Sequence, residues 1–131
     1  MATIKAFNRR NSREEITMEI DPSMNMIIEQ APGSNNFLAM RNICWNGSGT
    51  YRLDIRRWYT DSEGNENPGK GFSFTTESGP DNLAVALVKN YYGDTEQILN
   101  AIKDRDDFES ALNNIRGGTK KPLYDPKSIL V

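Results

Sequence analysis

The sequence predicts an α+β protein in which an antiparallel meander of strands is followed by helical segments. Two observations carry this prediction. Apolar and polar residues alternate through the centre of the chain, which is typical of strands that bury only one face. After Thr76 the apolar spacing becomes helical, with Leu83, Leu87 and Tyr91 on one stripe.

The first 36 residues contain shorter candidate strands. Residues 2–7 and 15–20 are predicted as two strands separated by a basic turn, and Asp21-Pro22-Ser23 is predicted to break the second. Residues 24–30 are a further candidate strand. A loop rich in proline, glycine and asparagine follows at residues 31–36.

The central strands have the clearest pattern. Residues 37–45 and 50–60 are predicted as strands joined by the turn Asn46-Gly47-Ser48-Gly49. A polar loop spans residues 61–69, and a third strand is predicted at residues 71–76. These three segments form the meander.

Helix boundaries are predicted from capping residues. Pro80 and Asp81 suit the first turn of a helix that ends at Gly93. Asp94 is a candidate N-cap for a second helix, and a third helical stretch closes at Gly117-Gly118. The last 13 residues contain two prolines and are predicted to be an extended basic arm.

Composition narrows the class of protein. A chain of 131 residues with 37% hydrophobic and 26% charged residues predicts one soluble globular domain. The N-terminus lacks the apolar core of a signal peptide, and no apolar run is long enough to span a membrane, so we expect an intracellular protein without a membrane partner. Cys44 is the only cysteine, which excludes an internal disulfide bond.

The residue types in this chain do not favour catalysis. The chain has no histidine, the commonest general base and zinc ligand. The acidic segment 104–109 lacks the glycine of a calcium loop and is predicted to be a charged helix start. We therefore expect no enzyme activity, no metal, no cofactor and no small-molecule substrate.

The charge is unevenly distributed. The net charge is −2, but residues 41–70 contain five basic and four acidic residues, whereas residues 77–116 contain four basic and eight acidic ones. Because an anionic ligand responds to the local field, the acidic total does not exclude nucleic acid.

One strand carries the main candidate site. Arg52, Asp54, Arg56 and Trp58 alternate with a second set, which comprises Tyr51, Leu53, Ile55, Arg57 and Tyr59. If the first set faces outward, its guanidinium groups and indole suit phosphates and bases. The alternative is that Trp58 caps a core while Asp54 neutralises an arginine. The alternation alone leaves both interpretations open.

A longer combination of motifs resembles a known family. Leu53-Asp54-Ile55-Arg56-Arg57-Trp58-Tyr59-Thr60-Asp61-Ser62-Glu63-Gly64, followed by Pro68-Gly69-Lys70-Gly71, resembles the C-terminal domain of the transcriptional coactivator positive cofactor four. Ile43-Cys44-Trp45-Asn46 is similar to the small bacterial and phage members. The resemblance implies a curved, four-stranded antiparallel sheet followed by a helix. It also implies a homodimer formed through the helices, with channels for single-stranded DNA or a melted duplex.

The resemblance also implies binding residues. Arg56, Trp58 and Tyr59 fall on the family's basic and aromatic contacts, Lys70 on its hairpin lysine, and Trp45 on a contact that ends the preceding strand. The chain departs from the pattern in two places. A family lysine is replaced by Thr50, and the loop cations are replaced by Asn65, Glu66 and Asn67.

Together these observations predict an organisation and a function. Residues 1–36 are an N-terminal extension, 37–92 the binding core, 93–118 an added helical segment and 119–131 the basic arm. We expect single-stranded DNA binding with little sequence preference, in transcription regulation or in replication, recombination and repair. A melted duplex and RNA are the alternative nucleic-acid partners. Trp58, Trp45 and Tyr59 would stack, and Arg52, Arg56 and Lys70 would meet the backbone. The alternative is a protein-interaction scaffold that uses its acidic helical surface.

Overall fold

The computed structural model describes residues 2–8 and 11–117, with side chains from residue 16 onward. The chain divides between Glu77 and Ser78 into two units, one built of strands and one of helices. The predicted basic arm and the basic pair Arg9 and Arg10 lie outside the described residues.

The first unit is an antiparallel sheet whose strands follow one another in chain order. The strands are β1 (Ala2–Asn8), β2 (Asn11–Glu29), β3 (Asn36–Trp45), β4 (Arg52–Thr60) and β5 (Glu66–Ser73). The two outermost strands, β1 and β5, approach each other without pairing, so the sheet is curved but not closed. The predicted α+β class, with an antiparallel sheet before the helices, is confirmed. Strands β2 to β5 give the expected ββββα order, and β1 adds one further strand beside β2.

Strand β2 begins at Asn11, within the predicted basic turn, and β5 ends at Ser73 rather than at residue 76. Two further boundaries differ from the predictions for local reasons. Strand β5 begins at Glu66, five residues before the predicted start at Gly71, because Asp61 organises the preceding loop. Its carboxylate accepts hydrogen bonds from the backbone N–H groups of Glu63 and Asn65. The chain can therefore re-enter the sheet immediately after a short turn.

Strand β2 continues through Asp21-Pro22-Ser23 instead of ending there. The predicted break is a break in pairing, because the register with β3 shifts between Ile20 and Asn25. The Ser23 N–H and hydroxyl both donate to the Asp21 carboxylate, which satisfies polar groups that the ladder leaves out.

The core lies on one face of the sheet, which we call the inner face. It contains Met18, Ile20, Phe37, Ala39, Ile43 and Trp58, and Trp45 packs against it. The burial pattern of β3 alternates strictly along most of its length, as a strand with one buried face requires. The opposite face is called the outer face below.

The second unit contains α1 (Ser78–Lys89), α2 (Thr95–Lys103) and α3 (Phe108–Arg116). Asp94 caps α2 as predicted, since its side chain accepts from the Gln97 N–H at 3.1 Å. Helix α1 ends at Lys89 rather than at Gly93, and Tyr91 adopts a left-handed conformation with φ +66°. No described helix is long and apolar enough to cross a membrane.

Candidate nucleic-acid interface

The two faces of β4 differ sharply in exposure. Asp54 and Trp58 are 0% and 1% exposed and lie on the inner face, whereas the Arg57 side chain is 53% exposed and Tyr59 is 49% exposed. The alternation predicted from the sequence is present, but the expectation that the Trp58 face points outward is wrong. The alternative, in which Trp58 belongs to a core and Asp54 neutralises an arginine, describes the structure.

Trp58 is buried because it completes the inner face. It lies directly opposite Phe37 across the β3–β4 ladder. The guanidinium carbon of Arg41 lies 4.5 Å from the centre of its ring, a cation–π contact inside the sheet. An indole that fills this position offers no surface on which a base can stack.

Arg56 is held by groups of the sheet itself. Its Nε and Nη2 donate to both carboxylate oxygens of Asp54, and its Nη1 donates to the Gly69 carbonyl at 3.0 Å. The guanidinium carbon lies 4.9 Å from the ring centre of Trp45. Arg56 therefore neutralises a fully buried carboxylate, and phosphate would have to compete with that carboxylate.

Trp45 belongs to the same polar network. Its indole Nε1 donates to the Ser73 hydroxyl at 2.9 Å, and that hydroxyl donates to Asp54 at 2.7 Å. Arg52, the remaining predicted cation on this face, is half-buried and pairs with Ile43. Four of the six predicted binding residues thus lie on the inner face.

Sequence reasoning missed Arg41, the central cation of this face. It is buried, donates to Asn25 and Glu66 at 2.9 Å each, and stands opposite Asp54 in the ladder. Its position in the alternation that includes Phe37 is a signal that could have identified it. Among the described residues, its Nη1 and the Trp58 Nε1 have no hydrogen-bond partner.

The outer face presents a different group of side chains. Arg57 and Tyr59 are alternate residues of β4 on this face. Phe72 of β5 pairs with Ile55, the preceding residue of β4 on the same face. Phe72 is half-exposed and makes an edge-to-face contact with Phe74, with ring centres 5.3 Å apart. Two predicted site residues, Tyr59 and Lys70, are exposed.

Gly71, the residue after Lys70, allows β5 to approach β4 closely. A Cβ atom at Gly71 would stand 2.0 Å from the Cβ of Arg56, so only glycine allows the two strands this approach. The close approach that Gly71 permits is made by β4.

Two further features affect the charges around β4, an exposed ion pair and the ordered β4–β5 loop. Arg57 pairs with Glu29 on the surface. In the β4–β5 loop, hydrogen bonds from Asn65 and other loop groups lower the pKa of the Asp61 carboxyl. The loop that leads into β5 is thus held by an ionised carboxylate. The pKa of Tyr51 is raised, mainly by burial and secondly by the hydrogen bond that its hydroxyl donates to Glu19.

The described residues contain no group of three or more histidine, cysteine, aspartate or glutamate side chains arranged to hold a metal ion. Comparison of the chain with models of protein families, with curated proteins and with solved structures finds no match.

Proposed function

We propose that the protein binds single-stranded DNA with little sequence preference along the outer face of β4 and β5. The observation that carries this proposal is the adjacency of Arg57 and Tyr59, both about half exposed on one strand. A cation beside an accessible ring suits a polymer that alternates phosphates with flat bases.

Stacking is assigned to the rings of the outer face. Tyr59 and Phe72 each present about half of their surface to solvent, and Phe74 supports Phe72 from the side. Stacking of a base on an aromatic side chain contributes roughly 1–3 kcal/mol and does not depend strongly on which base it is. This supports binding without sequence preference.

Phosphate contacts are assigned to Arg57 and Lys70. The Arg57–Glu29 pair is more than half exposed on both sides, and such pairs contribute only about 0–1 kcal/mol. A phosphate can therefore replace Glu29 at little cost, unlike at Arg56, whose partner Asp54 is buried. Binding through these cations should weaken as salt rises, because it releases counterions.

The family resemblance supports the same ligand and adds a biological setting. Tyr59 and Lys70 are the two positions of the predicted contact set that are exposed. We assign the protein to transcription regulation or to replication, recombination and repair, the roles that accompany single-stranded DNA.

The test is fluorescence anisotropy of a labelled oligo-dT in about 50 mM salt, a condition under which phosphate contacts are strong. Tyr59→Ala should weaken binding by roughly 5- to 150-fold, the equivalent of one lost stacking contact. Tyr59→Phe keeps the ring and should bind like the wild type. Arg57→Ala should weaken binding, whereas Arg105→Ala removes an exposed arginine of the helical unit and should not. Absence of binding by the wild type, or equal affinity of all four variants, would contradict the proposal.

A second candidate function, a protein-binding surface, is favoured by the helical unit. None of the three described helices has a buried residue, and large apolar side chains are exposed on and around them. The most exposed are Tyr91, Ile115, Tyr92 and Leu99. Exposed apolar patches of this kind mark interaction sites, and we propose that a second copy covers them, which gives a homodimer. Ile115→Glu should lower the mass measured by sedimentation if this is so.

A further inference from the structure

Four apolar side chains form a row across the outer face of the sheet. Met26 of β2 pairs with Met40 of β3, Met40 pairs with Ile55 of β4, and Ile55 pairs with Phe72 of β5. Residues that pair directly across neighbouring strands lie side by side on the same face. We call these four residues the apolar row, and it runs across the strands rather than along them.

The neighbours of Met40 place the row on the outer face. Ala39 and Arg41, on either side of Met40 in β3, are buried on the inner face, so Met40 points the opposite way. Met26 and Phe72, at the two ends of the row, are each more than half exposed. Met40 and Ile55 between them are partly exposed. The row therefore offers solvent an apolar strip four strands wide.

The two sides of the apolar row differ in charge. On one side lies Arg57, and the register shift between β4 and β5 leaves the exposed Lys70 opposite it. The exposed carboxylate that pairs with Arg57, Glu29, lies on this side as well. On the other side the paired residues Asn42 and Leu53 carry no charge.

This asymmetry suits one class of ligand. A single nucleic-acid strand carries its phosphates along one side and its flat, apolar base faces along the other. Arg57 and Lys70 on one side of an apolar strip match that distribution. A duplex would present a second phosphate backbone, for which the uncharged side of the row has no cation.

The width of the apolar row limits how many bases it can contact. Adjacent strands lie about 4.8 Å apart, so four strands span about 14 Å from the first to the last. The phosphates of one stacked strand are spaced about 3.4 Å apart along its axis. The row therefore has room for about four or five consecutive bases.

We propose that the bound DNA strand crosses the sheet between β5 and β2, with its bases over the apolar row and its phosphates on the Arg57 side. This inference rests on the proposed DNA binding and extends it. It adds Met26 and Met40 to the contact surface, although these residues carry neither a charge nor a ring. Methionine sulfur makes favourable contacts with aromatic rings, and its flexible side chain adapts to any base.

The first test is methyl NMR of the unaltered protein with oligo-dT of about eight nucleotides, long enough to cross the row. A base that stacks over a methionine shifts its ε-methyl signal, because the base carries a ring current. Saturating oligo-dT should shift the Met26 and Met40 signals. Met18, which is 1% exposed in the core of the inner face, is the internal control and should not shift.

The second test uses two neighbouring residues on opposite faces. Met26 and Ile27 are consecutive in β2 and are 58% and 56% exposed, but Ile27 pairs with the buried Ala39 and belongs to the inner face. Met26→Gln should weaken oligo-dT binding roughly 2- to 10-fold, the range for one lost sulfur–aromatic contact. Ile27→Gln should bind like the wild type. Urea denaturation of both variants verifies that they are folded.

The outcomes separate this inference from the proposal on which it rests. If the wild type binds oligo-dT but the Met26 and Met40 signals do not move, the strand does not reach β2 and the inference is overturned, while DNA binding stands. Equal affinities of Met26→Gln and Ile27→Gln would also overturn it, because the effect would then not depend on the face. If the wild type does not bind oligo-dT, both proposals fail and the apolar row is left to a protein partner.

Discussion

The two faces of β4 use the same kinds of residue in opposite ways. On the inner face Arg56 is bound to Asp54, and Trp58 fills the core. On the outer face Arg57 and Tyr59 remain half exposed, and Glu29, the carboxylate that pairs with Arg57, is itself exposed. The comparison shows that alternating arginines and aromatic rings do not by themselves mark a binding surface. The position of the acidic residue determines which arginine is exposed, because the buried carboxylate of Asp54 requires its partner Arg56 on the inner face as well.

The largest expected difference between the faces is in stability. Trp58→Ala should lower the free energy of unfolding by about 3–5 kcal/mol, because it leaves a cavity in the core. Tyr59→Ala should change it by no more than about 0.5 kcal/mol, as is usual for surface substitutions. Urea denaturation of both variants measures the contrast, and equal losses would contradict the assignment of inner and outer faces.

The second-largest expected difference in stability follows from removing one carboxylate from each face. Asp54→Ala leaves Arg56 without its partner in a buried site, which should cost about 3–5 kcal/mol. Glu29→Gln disrupts the exposed pair with Arg57 and should cost about 0–1 kcal/mol. The same urea experiment applies. A mild effect of Asp54→Ala would mean that Arg56 is readily rehydrated.

Salt dependence sharpens the contrast in DNA binding. If Arg57 neutralises one phosphate, Arg57→Ala should reduce the slope of log affinity against log salt by about 0.7, the value for single strands. Arg105→Ala should leave the slope unchanged. Oligo-dT titrations at several salt concentrations provide the slopes, and an unaltered slope for Arg57→Ala would remove Arg57 from the interface.

The smallest expected effect concerns the loop that connects β4 and β5. The pKa of Asp61 is lowered in the folded protein, so its stabilisation is complete above its ordinary pKa of 3.8 and is lost as the pH falls. Asp61→Asn should therefore lower the Tm at pH 7, and the difference from the wild type should shrink toward pH 3. A difference that is the same at both pH values would contradict this role.

Local signals in the sequence predicted the elements well where a few neighbouring residues determine them. The boundaries of β3 and β4 follow from alternation and turn residues, and the Asp94 cap follows from its side chain. The start of β5 was not predictable in this way, because it depends on three-dimensional hydrogen bonds to Asp61. Alternation also shows which residues share a face of the strand, but not which of the two faces is buried. Which face is inside depends on contacts such as Arg41 with Glu66, between residues far apart in the sequence.

Arg41 has a consequence for the order in which the sheet assembles. Its hydrogen bonds reach Asn25 and Glu66, which lie 16 and 25 residues away in opposite directions along the chain. Each pair of neighbouring strands closes through a short loop, but the Glu66 contact reaches past β4 to β5 and therefore requires both the β3–β4 and the β4–β5 hairpins. We expect the hairpins to form first and Arg41 to gain Glu66 late. One guanidinium then joins β2, β3 and β5 in the last cooperative step of folding.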